Sequence, residues 1–324
     1  MAGNVWVLAE HWRGQISDIT YESLALGREV AAALGVRLEV LLLGCDIQPL
    51  AGTLGSADNV IYVNHPALQV LTPGAYASAL SALARERHPA CVLVPLTNVT
   101  MGVGTLVAAQ LESPVVNFCK DIEVVEGKLR VRSVLYGGKM EAWTEVHGEA
   151  AVFGVWPGSR PAEKGRSAVA PPVEEATVTL PASQPVTFQR YIEPDAGDVD
   201  IAQQAVLVAV GRGIQGQENL ELAESLAAAL GGAVCGSRPV IDQGWLPLSR
   251  QVGKSGLTVK PKLYIAAGIS GAPEHVEGIK GSELIIAINS DPRAPIFQVA
   301  NYGIVGDALD LLPAIEEQVR AAKG

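Results

Sequence analysis

The chain has 324 residues and a formal net charge of −10, from 34 acidic against 24 basic side chains. Hydrophobic residues at 48% and charged residues at 18% exclude an intrinsically disordered chain, and the length suits two domains of ordinary size. The acidic balance excludes broad nucleic-acid binding. Despite a mean hydropathy of +0.25, no run reaches the roughly 18 uninterrupted apolar residues of a membrane span, so no membrane insertion is expected.

Val5–Ala9 reads as a short strand that begins near Met1 without a basic leader, so a cytoplasmic location is expected. Ile19–Leu34 has helical spacing and ends at Gly35. Leu38–Leu43 is a continuous apolar run of the kind buried on both faces of a sheet. Val60–Val63 follows as a strand, Ala75–Arg87 as a helix and Ala90–Pro95 as a strand, while Thr97–Leu111 starts polar and passes into a helix. This alternation predicts a parallel sheet covered by helices. Between Ile122 and Val155 the pattern changes to β-like segments such as Leu129–Leu135 and Ala142–Val146.

Seven of the 20 prolines fall between Pro157 and Pro194, a density that no helix or central strand sustains, so this stretch is a connector. Beyond it come a strand at Ala205–Val210, a helix at Asn219–Leu230, strands at Ala233–Gly236, Leu263–Ala267 and Leu284–Ile288, and a last helix at Ala308–Ala322. The expected fold class is α/β, with two doubly wound parallel-sheet domains. Residues 1–190 form the first, with a β-rich extension and the connector, and residues 205–324 form the second.

The four cysteines, Cys45, Cys91, Cys119 and Cys235, have no CxxC spacing and suggest neither a disulfide framework nor a zinc site. His11, His65, His88 and His147 lack metal spacing, and surface or loop positions are expected for them. Gly211–Gly216 matches G-x-G-x-x-G between a strand and a helix, where glycines permit a tight turn and a helix N-terminus faces a diphosphate. The carboxylate that an NAD site wants about 20 residues on is absent: Gly236-Ser237-Arg238-Pro239 stands there. A plain strand-to-helix turn remains the alternative.

Gly268-Ile269-Ser270-Gly271-Ala272 lacks the second glycine and the ordered His–acid pair of a nucleophile elbow. It reads either as an anion cradle or as a structural turn. Asn289 ends another strand. Three strand ends, at Gly211–Arg212, Gly268–Ser270 and Asn289, therefore point to one site. The polar segment Arg250–Lys260 offers Gln251, Lys254, Ser255 and Thr258, with Gly253 and Gly256 permitting unusual backbone angles. It is either a surface loop or a wrap around the far end of an extended cofactor.

Together these residues resemble the alpha subunit of electron transfer flavoproteins. The resemblance is carried by Gly211-Arg212-Gly213, Ser237-Arg238-Pro239 with Asp242 and Gly244-Trp245, and Gln251-Val252-Gly253 through Gly256. It continues through Pro261–Ala266, Gly268–Ala272 with His275, Ala287-Ile288-Asn289, Asp291-Pro292, Ala294–Phe297 and Tyr302–Asp307. Before residue 205 it is looser, in Val7–Glu10, Pro66–Leu68 and Tyr76-Ala77.

The resemblance implies a Rossmann-like C-terminal domain that holds FAD. It also implies a beta-subunit partner carrying AMP or a second FAD, and electron exchange with an acyl-CoA-type or NADH-linked dehydrogenase. The acceptor would be a quinone oxidoreductase or ferredoxin. Arg212, Ser237, Asn289 and Asp307 would face the nucleotide part or its diphosphate, with Gly268, Ser270, Gly271 and Ala272 on the phosphate-side turn. Arg238, Ser255 and His275 would lie beside the isoalloxazine ring, and Gln251, Val252, Gly253 and Lys254 in the loop around it. A cation or donor there stabilises the negative charge of the reduced ring. His275 would donate to the pyrimidine carbonyl and Ser255 to N5.

The family commonly has glutamine and threonine where Lys254 and Ser255 stand, and isoleucine–glutamine at Pro273–Glu274. The basic residue it often carries near Thr97–Leu111 is missing. A regulatory adenine-nucleotide module and an NAD(P)-linked dehydrogenase are the alternative functions.

Overall fold

The computed structural model describes residues 3–148, 150–181, 186–191 and 199–323. Within the connector, residues 182–185 and 192–194 lie outside the described residues. The chain divides into two compact units, Met1–Arg190 and Tyr191–Gly324.

The first unit opens with β1 (Val5–Leu8), α1 (Asp18–Leu34), β2 (Leu38–Gly44) and β3 (Asn59–Asn64). Next come α2 (Pro73–Arg87), β4 (Cys91–Pro95) and α3 (Val103–Leu111). Gly35 ends α1 in the left-handed region at φ +69°, its N–H closing on Ala31 and Ala32. Alternate strand residues supply two cores. Val5, Val7, Val40 and Leu42 pack with Leu24 and Val30 of α1, while Trp6, Leu8, Leu41 and Leu43 pack with Tyr76 and Leu80 of α2. Covering both faces explains why β2 is apolar along its whole length.

The sheet continues through β5 (Val115–Val125), β6 (Lys128–Leu135), β7 (Met140–Val146) and β8 (Ala151–Val155). With β9 (Val173–Glu175) it has nine strands in the order β9-β3-β2-β1-β4-β8-β5-β6-β7. It is parallel except for β5-β6-β7, which run antiparallel. Their short links leave no room for a crossover, so the antiparallel strands join the parallel sheet where the sequence pattern turns β-like after Ile122. Leu129 and Val131 of β6 face the core, and Arg130 and Arg132 face outward.

Up to Arg190 the described connector belongs to the first unit. Gly165 lies so close to Tyr21 of α1 that a Cβ there would collide with its carbonyl oxygen. β9 adds an edge strand parallel to β3, and Val178 is buried.

Where the strand order reverses, between β1 and β4, Glu10 is buried and accepts hydrogen bonds from Thr97 and from Thr100 (2.9 Å). His11 is also buried, contrary to the surface position expected for it. Its Nε2 lies 2.9 Å from the Leu43 carbonyl and 3.2 Å from the Tyr76 hydroxyl. It follows β1 directly, at the end where β2 leaves a carbonyl to be satisfied.

The second unit contains β10 (Val206–Val210), α4 (Leu220–Leu230), β11 (Ala233–Gly236) and α5 (Arg238–Asp242). After these come β12 (Leu263–Ala267), α6 (Pro273–Glu277), β13 (Leu284–Asn289), β14 (Tyr302–Val305) and α7 (Ala308–Lys323). Its sheet is wholly parallel in the order β11-β10-β12-β13-β14. Ile201, ahead of β10, is buried in this unit's core. Among the described residues, no helix is long and apolar enough to cross a membrane.

Gly165→Ala should lower the stability of the first unit by about 1–3 kcal/mol, the cost of overpacking a closed contact. Urea denaturation checks this. An unchanged midpoint would mean that the connector does not pack on α1.

Candidate functional site

In the second unit the strand order reverses between β10 and β12, and ligands of open α/β sheets bind in the crevice at such a reversal. The loop after β10 and the loop after β12 touch there through glycine. The Gly213 N–H donates to the Gly268 carbonyl at 3.1 Å. A Cβ on Gly213 would stand 2.6 Å from the Gly268 Cα, and one on Gly211 would collide with the Gly268 carbonyl oxygen. Gly268 sits at φ +64°, where a side chain is strained. The glycines of the fingerprint thus serve the approach of two backbones. Two short 3-10 turns, Arg212–Ile214 and Gln217–Asn219, precede α4, which starts one residue from the expected Asn219. Gly211 and Gly213 hold the loop against Gly268 before the chain coils.

Beside this crossing lies a cavity of about 580 Å³, within the range of roughly 300–1,000 Å³ usual for small-molecule sites. It brings together Arg212, Ser237, Arg238, Val252, Gly253, Lys254, Ser255, Gly268, Ser270, Ala272, His275 and Asn289, together with Pro239, Ile269 and Glu274. Gln251, Gly271 and Asp307 are not in its lining. Gln251 is buried beneath it and donates from Nε2 to the Ser255 hydroxyl at 3.0 Å. Gly271 takes φ +85° and lies against Ile296. Asp307 caps α7, accepting from the Leu309 N–H at 2.9 Å and from Gln215 Nε2 at 3.3 Å. Asn289 braces the turn after β12 by donating to the Ile269 carbonyl at 2.8 Å.

Three cations, Arg212, Arg238 and Lys254, line the cavity against one carboxylate, Glu274. Three serines, Ser237, Ser255 and Ser270, add hydroxyls. Arg238 is mostly exposed and lies 3.4 Å from Asp242 on the next turn. The loop carrying Lys254 bends at Gly253, φ +139°, as the sequence suggested. Gly256 is needed instead because a Cβ there would collide with the Gln251 carbonyl.

His275 is buried in the wall. Its Nδ1 lies 3.1 Å from the Val252 carbonyl and its Nε2 3.0 Å from the Tyr264 hydroxyl. A carbonyl only accepts, so Nδ1 carries the proton and Nε2 accepts from the tyrosine. Burial pushes the His275 pKa down to about 4, which keeps the ring neutral at physiological pH. The resemblance implied that His275 donates to the cofactor. Here both ring nitrogens are engaged by the chain itself, and the ring contributes a neutral wall. Tyr264 is fully buried, and burial raises its pKa well above the ordinary value. Burial likewise pushes the neighbouring Cys235 thiol up to about 12. The role of Tyr264 was missed. The sign available was an isolated tyrosine in an otherwise aliphatic strand, whose hydroxyl needs a partner once buried.

A glycine-walled, cation-bearing crevice at the reversal point of a parallel sheet defines a nucleotide-binding α/β protein. Residues 200–280 match the family model described as the electron transfer flavoprotein FAD-binding domain, and residues 5–181 match the electron transfer flavoprotein domain. "Protein FixB" of Clostridium saccharobutylicum is 38% identical over 321 residues, covering 98% of this chain and 96% of that protein. "Acryloyl-CoA reductase electron transfer subunit beta" of Anaerotignum propionicum is 35% identical, covering 99% and 96%. "Electron transfer flavoprotein subunit alpha" of Clostridium acetobutylicum is 35% identical, covering 98% and 97%. The chain belongs to the electron transfer flavoprotein family, among its alpha subunits and FixB proteins, and FAD is its cofactor. Membership implies a beta-subunit partner.

Tyr264→Phe should cost about 1–3 kcal/mol, because the buried Nε2 of His275 loses its donor. Urea denaturation reads the loss, and an unchanged midpoint would refute the contact. A second expectation follows from the depressed His275 pKa. The unfolded chain takes up the proton near pH 6.5 and the folded one only near 4, so stability falls as pH drops between those values. The loss should approach about 2–3 kcal/mol at pH 4, and His275→Asn should flatten that part of the profile.

Proposed function

We propose that the cavity of the second unit holds FAD, and that the chain passes electrons as a heterodimer with a beta subunit that carries AMP or a second FAD. The observation that carries this reading is the surplus of cations, with three hydroxyls, around a glycine crossing that leaves backbone exposed to a diphosphate. Arg212, Gly268, Ser270 and Ala272 face the diphosphate, Ser237 and Asn289 the nucleotide part, and Arg238, Ser255 and His275 the ring. Val252, Gly253 and Lys254 form the surrounding loop. Gln251, Gly271 and Asp307 support these contacts from behind: Gln251 orients Ser255, Gly271 shapes the turn, and Asp307 braces Gln215 next to the 211–214 loop.

Bound FAD supplies one- and two-electron redox chemistry. The chain's own residues set its potential. Arg238 presents a guanidinium cation, which favours the negative charge that arrives on reduction. His275 stays neutral, so it adds no competing charge and fills the wall against water.

For the partner, the observation is an apolar hairpin tip between β6 and β7. Leu135, Tyr136 and Met140 are exposed there, Tyr136 at 76%. A cluster of this kind on a protein surface marks an interaction site, and we assign it to the beta subunit. The donor is an acyl-CoA-type or NADH-linked dehydrogenase, and the name of the Anaerotignum propionicum relative, the electron transfer subunit of a reductase, supports exchange with a CoA-linked enzyme. The acceptor is a quinone oxidoreductase or ferredoxin. The four cysteines are free thiols, which suits the reducing cytoplasm.

The test is to purify the chain with its partner subunit, count flavin and titrate it anaerobically. One FAD per chain supports the reading, and its absence after FAD is supplied overturns it. A second FAD reduced directly by NADH would put an electron-splitting flavin in the partner. In the same titration Lys254→Gln should lower the first one-electron potential, and equal potentials would remove Lys254 from the account.

A further inference from the structure

Glu274 is the one carboxylate among the described residues lining the cavity. It stands beside His275 on α6, and the loop 252–259 is clamped to that helix at several points. The Lys254 N–H donates to the Glu274 carbonyl at 2.7 Å, and the Val259 N–H to the Gly278 carbonyl at 2.9 Å. His275 Nδ1 donates to the Val252 carbonyl at 3.1 Å. Glycine at 253 and 278 makes the approach possible: a Cβ on Gly253 would stand 3.0 Å from the Glu274 carbonyl oxygen, and one on Gly278 2.6 Å from the Gly253 nitrogen. Lys254 and Glu274 are therefore fixed at the backbone as neighbours, both lining one cavity with opposite charges. The other ring-side cation is treated differently, since Arg238 has its counter-ion in Asp242, which is not in the lining.

We propose that Glu274 is a potential-setting residue that offsets Lys254, so that the flavin experiences the pair and not the lysine alone. This rests on FAD occupying the cavity as described above. Reduction brings negative charge to the ring, so a nearby cation raises the potential and a nearby carboxylate lowers it. Removing Lys254 alone takes one positive charge from the cavity, and removing Glu274 alone takes its one negative charge. Removing both leaves the field close to its starting value. Both side chains lie on the exposed rim, so added salt screens each single effect.

The test is equilibrium redox titration of the FAD-loaded complex with the partner subunit, at low and high salt, for the wild type, Lys254→Gln, Glu274→Gln, the double variant and Glu274→Asp. The potential should fall in Lys254→Gln and rise in Glu274→Gln, with the double variant between them and near the wild type. Both single shifts should shrink in salt, and Glu274→Asp, which keeps the charge, should restore the wild-type value. An unshifted Glu274→Gln, or a double variant that matches Lys254→Gln, would overturn the pairing. Flavin is counted before each titration: FAD bound with unshifted potentials refutes only the pair, whereas a wild type that takes up no FAD refutes the function itself.

Discussion

The site depends on one steric constraint, the approach of two backbones at Gly211, Gly213 and Gly268. Any side chain at these positions would occupy the space of the opposing loop. The contact draws the ends of β10 and β12 together, and the loops after β11 and before β12 then close the crevice from the far side. The fingerprint is usually read as making room for phosphate. In this chain its first duty is to let two strand ends meet, and the cavity forms beside that meeting point.

The two units of the chain share a doubly wound plan and differ in what fills the reversal point. In the first, Glu10 occupies it as a buried carboxylate held by Thr97 and Thr100. In the second, the corresponding place is lined by glycine backbone, Arg212 and Ser270. The same architecture thus offers one reversal point filled by the chain's own side chains and one that suits a dinucleotide.

Much of this was legible in the sequence. Ala233–Gly236 and Leu263–Ala267 are read to the residue because a buried parallel strand is an unbroken apolar run bounded by glycine or polar residues. The convergence of Gly211, Gly268 and Asn289 followed from strand ends alone. What was not legible depends on pairing across space. The antiparallel turn of β5-β6-β7 is decided by link length, and burial of His11 by a carbonyl on β2 and a hydroxyl on α2. The engagement of both His275 nitrogens needs Val252 and Tyr264, which lie 23 and 11 residues away. Glu274 was legible only as a departure from the family pattern, because its approach to Lys254 depends on the clamp between that loop and α6.

Hydrogen exchange of backbone amides, measured on the complex before and after FAD is added to a flavin-depleted preparation, tests the central claim most directly. Protection should concentrate at 211–213, 237–239, 252–255 and 268–272, with residues 9–11 and 97–100 of the first unit unchanged. Protection centred on Glu10 and Thr97–Thr100, with none at the glycine crossing, would place the cofactor in the other crevice and contradict the account.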